Sequence, residues 1–577
     1  MTFALGVERS AAGQPWKWRR SGEPGLTLDG LVDELLLARG VMRDDLERHR
    51  KPTIRDFLPD PSCFQDMDKG AQRLSDAVQS GETVAIFGDY DVDGATSSAL
   101  LVLLLRRLGV EPMVYIPDRL MEGYGPSGAA LVQLKERLES LSTAIEALQE
   151  AKDAGLDVIV VDHHQCATLL PVAFAIINPN RLDEGELGAA HGHLAAVGMA
   201  FLLGVALVRE LRGRGFFAER EEPKLIDLLD LVALGTVADV ARLHTLNRAF
   251  VTQGLKVMAG RQSIGMSALA EAARLVRPPS CRDLGFALGP RINAGGRVGK
   301  SDLGVRLLTS TDPEEARSIA SELDRLNEER RAIEMQVCDQ AMEQADKLNG
   351  EPVLTIMGQG WHPGVIGIVA GRVKERYGRP AMVIAEMEDG TGKGSGRSIG
   401  GVDLGAAVLA AKDSGLLVAG GGHAMAAGLT LAPGGLEAFS RFISERLASD
   451  VARALDGRAL LLDAILSPRG VAGELCDALE QAGPYGAGWP APRVAAGPAR
   501  LLKTGIVGDG HVRGLACGDD GRSFKWIAFR SAATELGQAL LASPGDQRWW
   551  LAGTIKRDEW NGGNAAEMHL EDAAIAA

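Results

Sequence analysis

Short β-rich apolar runs recur between helix-like stretches in the first third of the chain, and this alternation most constrains how it can fold. TVAIFG (Thr83 to Gly88) is brief and apolar, as a strand buried in a parallel sheet should be. A helix pattern follows from Thr96 to Leu108. MVYIP (Met113 to Pro117), DVIVV (Asp157 to Val161) and AFAIINP (Ala173 to Pro179) give three more strand candidates. Strands alternating with helices predict a parallel α/β sheet with right-handed crossovers.

Helical patterns dominate from His193 to about 260. Pro313 to Leu348 is charge-rich, periodic and free of internal Gly and Pro, which predicts a long connecting helix. PVLTIMG and AMVIAE restart the alternation in a second α/β domain. Beyond about 460, short strand-like runs and Gly/Asp turns predict a small β-barrel. At 577 residues the chain has room for about four cores. The expected divisions are a lead-in over 1–60, an α/β domain over 61–311, the helix over 312–348, a second α/β domain over 349–450 and the barrel over 451–577.

Composition narrows the function classes. With 62 basic and 76 acidic residues the net charge is −14, which argues against coating nucleic acid by bulk charge. A local basic groove remains compatible. The longest apolar stretch, Leu194 to Val208, is broken by two glycines and is too short to span a bilayer, so it reads as a buried helix and no membrane association is expected. The first twenty residues lack the pattern of a secretory signal. Six widely spaced cysteines without a CxxC pair fit a reduced cytoplasm.

Chemistry gathers at the strand ends. Asp89, Asp91 and Asp93 follow the first strand in DYDVDG, where alternate residues on an extended segment would share a face at the carboxyl edge of the sheet. A later strand ends in Asp162, His163 and His164, and GTVADV puts Asp239 after an apolar helix pattern. Hard carboxylates with one or two histidines suit Mn²⁺ or Mg²⁺, and two such ions would serve in-line displacement at a phosphate. Asp89 alone reads equally well as a turn or cap residue; the motifs together do not.

FGDYDVDG, DHH and GTVADV resemble the DHH family of phosphoesterases, most closely its bacterial exonucleases that degrade single-stranded DNA from 5′ to 3′. The likeness runs from about residue 50 onward through RLMEGYGPS, INPNR, GPRINAGGR, WHPGVIGIVAGR, GSGRS and GGGHAMAAG. It implies a parallel-sheet DHH domain, a second α/β DHH-associated domain joined to it by the long helix, and an OB-fold barrel. It implies two ions on Asp89, Asp91, Asp93, His163 and Asp239, with Asp162 and His164 in the same catalytic cluster. It places the terminal 5′ phosphate on Arg119, Ser395 and Arg397, and a backbone or scissile-phosphate contact on Arg291 and Asn293. Gly421, Gly422 and His423 would bring main-chain N–H groups close to an anion. Single-stranded DNA is the implied substrate, in repair and recombination, with a single-strand-binding protein and a helicase as partners; nothing in the sequence demands more than a monomer. Among the barrel aromatics Trp526, Phe529, Trp549, Trp550 and Trp560, some are core and some are stacking candidates. His191, His193 and His244 match no ligand motif and read as structural.

One departure stands out. The family carries a further strand with a VDCG-like carboxylate motif between RLMEGYGPS and DHH. Here that stretch, 131–155, has apolar residues at helical spacing, and Glu136 and Glu139 have no evident route to the sheet edge. A missing carboxylate would weaken metal binding. The leading expectation is a metal-dependent exonuclease that releases mononucleotides. The alternatives are a weakened family member that binds DNA as a scaffold, and a phosphoesterase acting on short oligonucleotides, for which the long helix and barrel are superfluous.

Overall fold

The structure is a computed structural model that describes residues 3–20, 27–117, 152–166, 170–348, 350–558 and 565–576. Arg119, Trp560, Glu136, Glu139 and nearly all of the helix read across 131–155 lie outside the described residues.

In the first lobe, Ala85–Phe87 pairs in parallel with Met113–Tyr115, and Ile159–Val161 pairs in parallel with Ala175–Ile177. These remain two separate pairs among the described residues, where the alternation predicts one continuous sheet. Met67–Ser80, Val92–Arg107 and Ala196–Gly213 pack around them. The apolar 194–208 stretch is indeed a buried helix, and no described helix is long and apolar enough to cross a membrane.

The helix Leu229–Ala238 is largely buried and, apart from Asp230 and Thr236, apolar, and lies against Val92–Arg107 and Thr245–Ala259. Gly235 permits the first contact: a Cβ there would fall 2.3 Å from Thr96 Oγ1 and 3.2 Å from Asp93 Oδ1. The glycine of GTVADV therefore sets how closely Asp239 approaches the acidic turn.

Pro313–Lys347 is one helix of 35 residues, roughly 52 Å long at 1.5 Å per residue. Its first half packs on the first lobe and its second half on the second lobe. There a five-stranded sheet runs in the order Leu354–Gln359, Ala381–Glu386, Gly392–Arg397, Ala426–Leu431, Ala419–His423. Only the first two strands are parallel. Val383 and Ala385 face the long helix and Ile366–Tyr377, while Met382 and Ile384 face Leu404–Asp413 and Leu436–Asp456. Alternate side chains thus fill two opposed cores.

The C-terminal strands Val494–Val507, His511–Cys517, Ser523–Ala528, Ala566–Ile575 and Arg548–Arg557 close into a five-stranded barrel through the first-to-last pairing. Trp526 and Trp549 are interior, Trp550 is half-buried, and Phe529 is 53% exposed between His511 and His569. The start of the chain belongs to this body. Trp16–Trp18 pairs in parallel with Leu460–Leu462, and the buried Trp16 indole donates to Asp572 at 2.9 Å.

Candidate metal and nucleic-acid site

The acidic turn is built differently from the alternating-strand expectation. Its strand stops at Phe87, and a helix begins at Val92, so Asp91 is the N-cap and Asp93 lies in the first helical turn. Gly94 N donates to the Asp91 carboxylate at 2.8 Å. Asp93 is 4% exposed, and its two oxygens accept from Ala196 N at 2.8 Å and Val197 N at 2.9 Å, the opening N–H groups of the 196–213 helix. Asp89 accepts from the Tyr90 N–H. Convergence therefore comes from a cap and a helix start, not from alternation along a strand.

GPRINAGGR braces this turn from behind. It forms the helix Gly289–Val298, in which Asn293 Oδ1 accepts from Val92 N at 3.2 Å and Gly296 leaves room for Tyr90. Asn293 thus holds the acidic turn. Arg291 is buried and doubly engaged by Asp324 of the long helix, with Nη1 donating to Ala287 O. The structure does not bring it together with the carboxylate cluster, because Asp324 and Ala287 use its fork.

After Ile159–Val161 the DHH residues divide their tasks. Asp162 and His164 form a pair at 2.8 Å. Burial pushes Asp162 up, but His164 and two main-chain N–H groups outweigh it and take the carboxyl to about 2. The same hydrogen bond lifts His164 to about 9, against its burial. His163 is lowered, first by burial and then by the His164 charge, so it stays neutral as a ligand must. Two asparagines of INPNR hold the turn: Asn178 donates to His164 O at 2.9 Å and Asn180 to His163 O at 2.6 Å. The motif was visible in the sequence, but nothing there revealed that its amides pin both histidines.

Asp93, His163 and Asp239 come together with donor atoms within 4.8 Å of one another. His163 Nε2 is 3.6 Å from Asp93 and Nδ1 is 3.8 Å from Asp239. These separations exceed hydrogen bonds, and one ring nitrogen of His163 with one oxygen of each carboxylate lie close enough together to be drawn onto a shared cation. Burial, followed by repulsion from Asp91, raises Asp93 to about 7; burial, followed by Asp93 and Asp91, raises Asp239 to about 8. Asp239 also caps the C-terminal end of its helix, where the dipole disfavours an anion and favours a cation. Two crowded carboxylates beside a neutral imidazole fit Mn²⁺ or Mg²⁺.

The second lobe supplies two features. Ser395 and Arg397 share one face of Gly392–Arg397, with Arg397 Nη1 donating to Ser395 Oγ at 3.2 Å. Gly367, at the start of Ile366–Tyr377, lies against both, so a helix N-terminus adjoins the guanidinium and hydroxyl. His423 ends Ala419–His423, and its ring stacks over His164 with centroids 6.4 Å apart. Gly422 has φ +147°, and a Cβ there would meet Ala426 O at 2.4 Å, while Gly421 faces open space. Arg297 ties the lobes by donating to Gly364 O at 3.1 Å.

Comparison with known proteins assigns this arrangement. Residues 83–236 match the model of the DHH family, N-terminal domain; 350–449 match the DHHA1 domain; and 462–572 match the RecJ OB domain. The chain is 39% identical over 508 residues to the single-stranded-DNA-specific exonuclease RecJ of Escherichia coli K12, covering 84% of this chain and 86% of that one. It belongs to the RecJ family. The Bacillus subtilis RecJ is 32% identical over 568 residues, covering 96% of this chain and 69% of its relative. The crystal structure of Thermus thermophilus RecJ in complex with Mn²⁺ aligns with a TM-score of 0.76 at 27% identity, covering 96% of this chain and 79% of that one; the Mg²⁺ complex aligns at 0.71. RecJ is thus a protein whose structures hold the ions that the donor set here fits.

Proposed function

We propose that this chain is a metal-dependent exonuclease that hydrolyses single-stranded DNA from its 5′ end to mononucleotides, in DNA repair and recombination. The observation that carries the reading is the Asp93–His163–Asp239 cluster, in which a buried and a half-buried carboxylate, both with raised pKa values, face a neutral imidazole. Those three residues, with Asp89 and Asp91 beside them, would hold Mn²⁺ or Mg²⁺. When bound there, the ion supplies Lewis-acid activation of water and neutralises charge at the phosphate.

The chain's own groups do the rest. Asn293 and the 196–213 helix fix the acidic turn, and Asn178 and Asn180 fix the histidines. Asp162 keeps His164 protonated, which sets a cation next to His423 where an anionic backbone would pass. Ser395 and Arg397, with the adjoining helix N-terminus, form the terminal-phosphate pocket, to which Arg119 contributes by resemblance. Gly421, Gly422 and His423 line the backbone path. Arg291 acts by holding the long helix to the first lobe, and any phosphate contact it makes exchanges with Asp324. The barrel holds the strand, with Phe529 its exposed aromatic. On the family resemblance, the protein works as a cytoplasmic monomer with a single-strand-binding protein and a helicase as partners.

A reading in which the chain binds DNA without cutting it draws on the absent VDCG-like motif. Incubation with Mn²⁺ and a 5′-phosphorylated, 3′-labelled strand separates the two: mononucleotide release supports the exonuclease, and binding without release supports the scaffold.

A further inference from the structure

A cavity of about 800 Å³ opens beside the carboxylate cluster, with His163 and Asp239 in its wall. Small-molecule sites of roughly 300–1,000 Å³ are typical, so it has room for a nucleotide. The described residues that line it all fall between 163 and 245, and none belongs to the second lobe. Among the described residues its lining is thus distinct from the Ser395–Arg397 pair. At its far end the 240–245 turn meets the loop before the barrel: Leu243 N donates to Ala487 O at 2.8 Å, and a Cβ on Gly488 would lie 3.0 Å from His244 Nε2.

The lining has the character of a nucleotide site. Leu194, Val240 and Ala241 give it apolar surface. His193 is held at 3.1 Å by Thr245 Oγ1, and the rings of His193 and His244 meet edge to face with centroids 6.4 Å apart. Arg242 is exposed at the cavity and forms no ion pair among the described residues. An uncommitted guanidinium in a chain of net charge −14 is poised for an anion from outside the protein.

We infer that this cavity receives the nucleotide immediately 3′ of the scissile linkage, with Arg242 on that nucleotide's next phosphate. The inference rests on the exonuclease reading and its 5′ polarity. A strand whose terminal phosphate lies on the second lobe and whose scissile phosphate lies at Asp93–His163–Asp239 must leave the cluster by another side. The cavity is the exit that shares its wall with the cluster and leads toward the barrel. The imidazoles flank the sugar and base, and Arg242 sets the register of the strand relative to the scissile bond.

The test pairs a protein change with a substrate change. Michaelis constants are measured with Mn²⁺ for wild type, Arg242→Gln and Arg242→Lys, on a 5′-phosphorylated strand and on the same strand with an uncharged methylphosphonate at the linkage after the scissile one. A charge-assisted contact of this kind is worth about tenfold in KM. The wild type should lose that factor on the modified strand. Arg242→Gln should lose it on the normal strand and lose little more on the modified one, and Arg242→Lys should recover part of it. Effects that multiply in full, or a normal KM for Arg242→Gln, would overturn the assignment. Absence of nucleotide release from the normal strand by wild type would refute the exonuclease reading instead, and fluorescence anisotropy of the same six pairings would still decide whether Arg242 holds that phosphate.

Discussion

Asp93 is raised by burial and then by the Asp91 charge, and Asp239 by burial and then by Asp93 and Asp91, so both carboxylates favour a cation beside them. Their motifs were legible in the sequence, because DYDVDG, DHH and GTVADV are compact and ordered. The division of labour within DHH was not legible, since it depends on His164 pairing with Asp162 and leaving His163 neutral. Nor was the use of Asn180, whose partner carbonyl lies seventeen residues away. Outer partners of metal ligands typically contribute 10–100-fold to metal affinity, so Asn180→Ala should weaken Mn²⁺ binding by roughly that factor in titration calorimetry. A second buried acid lies outside the site. Asp230 is 3% exposed, accepts from Leu231 N, and is raised to about 6 by burial. An acid with a raised folded pKa costs no stability below its unfolded value near 4, and the cost grows as pH rises to 6. Asp230→Asn should therefore stabilise the chain by up to about 3 kcal/mol at pH 7.5 and by nothing at pH 4, as read from urea midpoints at both pH values.

At the scale of elements, local pattern succeeded where one segment carries its own signal. The long helix was readable because a 35-residue run with no Gly, and no Pro after its first position, leaves little alternative, and it runs Pro313–Lys347. The barrel was readable from its turns. Alternation misread the acidic turn, because Asp91 caps a helix that starts four residues before the apolar pattern begins at Thr96. How the two parallel strand pairs of the described residues sit in the lobe was not legible, since pairing between strands is a tertiary property that no single run encodes. Helix 229–238 reaches Asp93 through Gly235, and Thr96 is fully buried and cannot move aside. Gly235→Val should destabilise the first lobe by about 3 kcal/mol and displace Asp239, lowering Mn²⁺ affinity with it. Chemical denaturation and calorimetry on the same variant would check both; an unchanged midpoint would mean that the helices separate freely.

At the scale of the whole molecule, the early segment pairs with the C-terminal body and a buried cation ties the first lobe to both. Arg248 is fully buried: it donates to Ala482 O at 3.0 Å and His49 O at 2.9 Å and lies 4.1 Å from the centre of the Trp489 ring. It joins the first lobe to the early helices and to the segment that enters the barrel. Removing it strands two carbonyls and a cation–π contact, so Arg248→Ala should cost about 2–4 kcal/mol and expose the junction to limited proteolysis before the second lobe is cut. No local sequence pattern announces such a tie, because its partners are 199 and 234 residues away. What all three scales serve is the Asp93–His163–Asp239 cluster, proposed to hold the metal. The most direct measurement is mononucleotide release from a 5′-phosphorylated single strand with Mn²⁺, beside the matching duplex and an Asp93→Ala, Asp239→Ala double variant. Release from the single strand alone, lost by at least about a hundredfold in the double variant, is the expected result. Binding of the strand without release at any Mn²⁺ concentration, or equal release by the double variant, would contradict the central claim that this cluster cuts DNA.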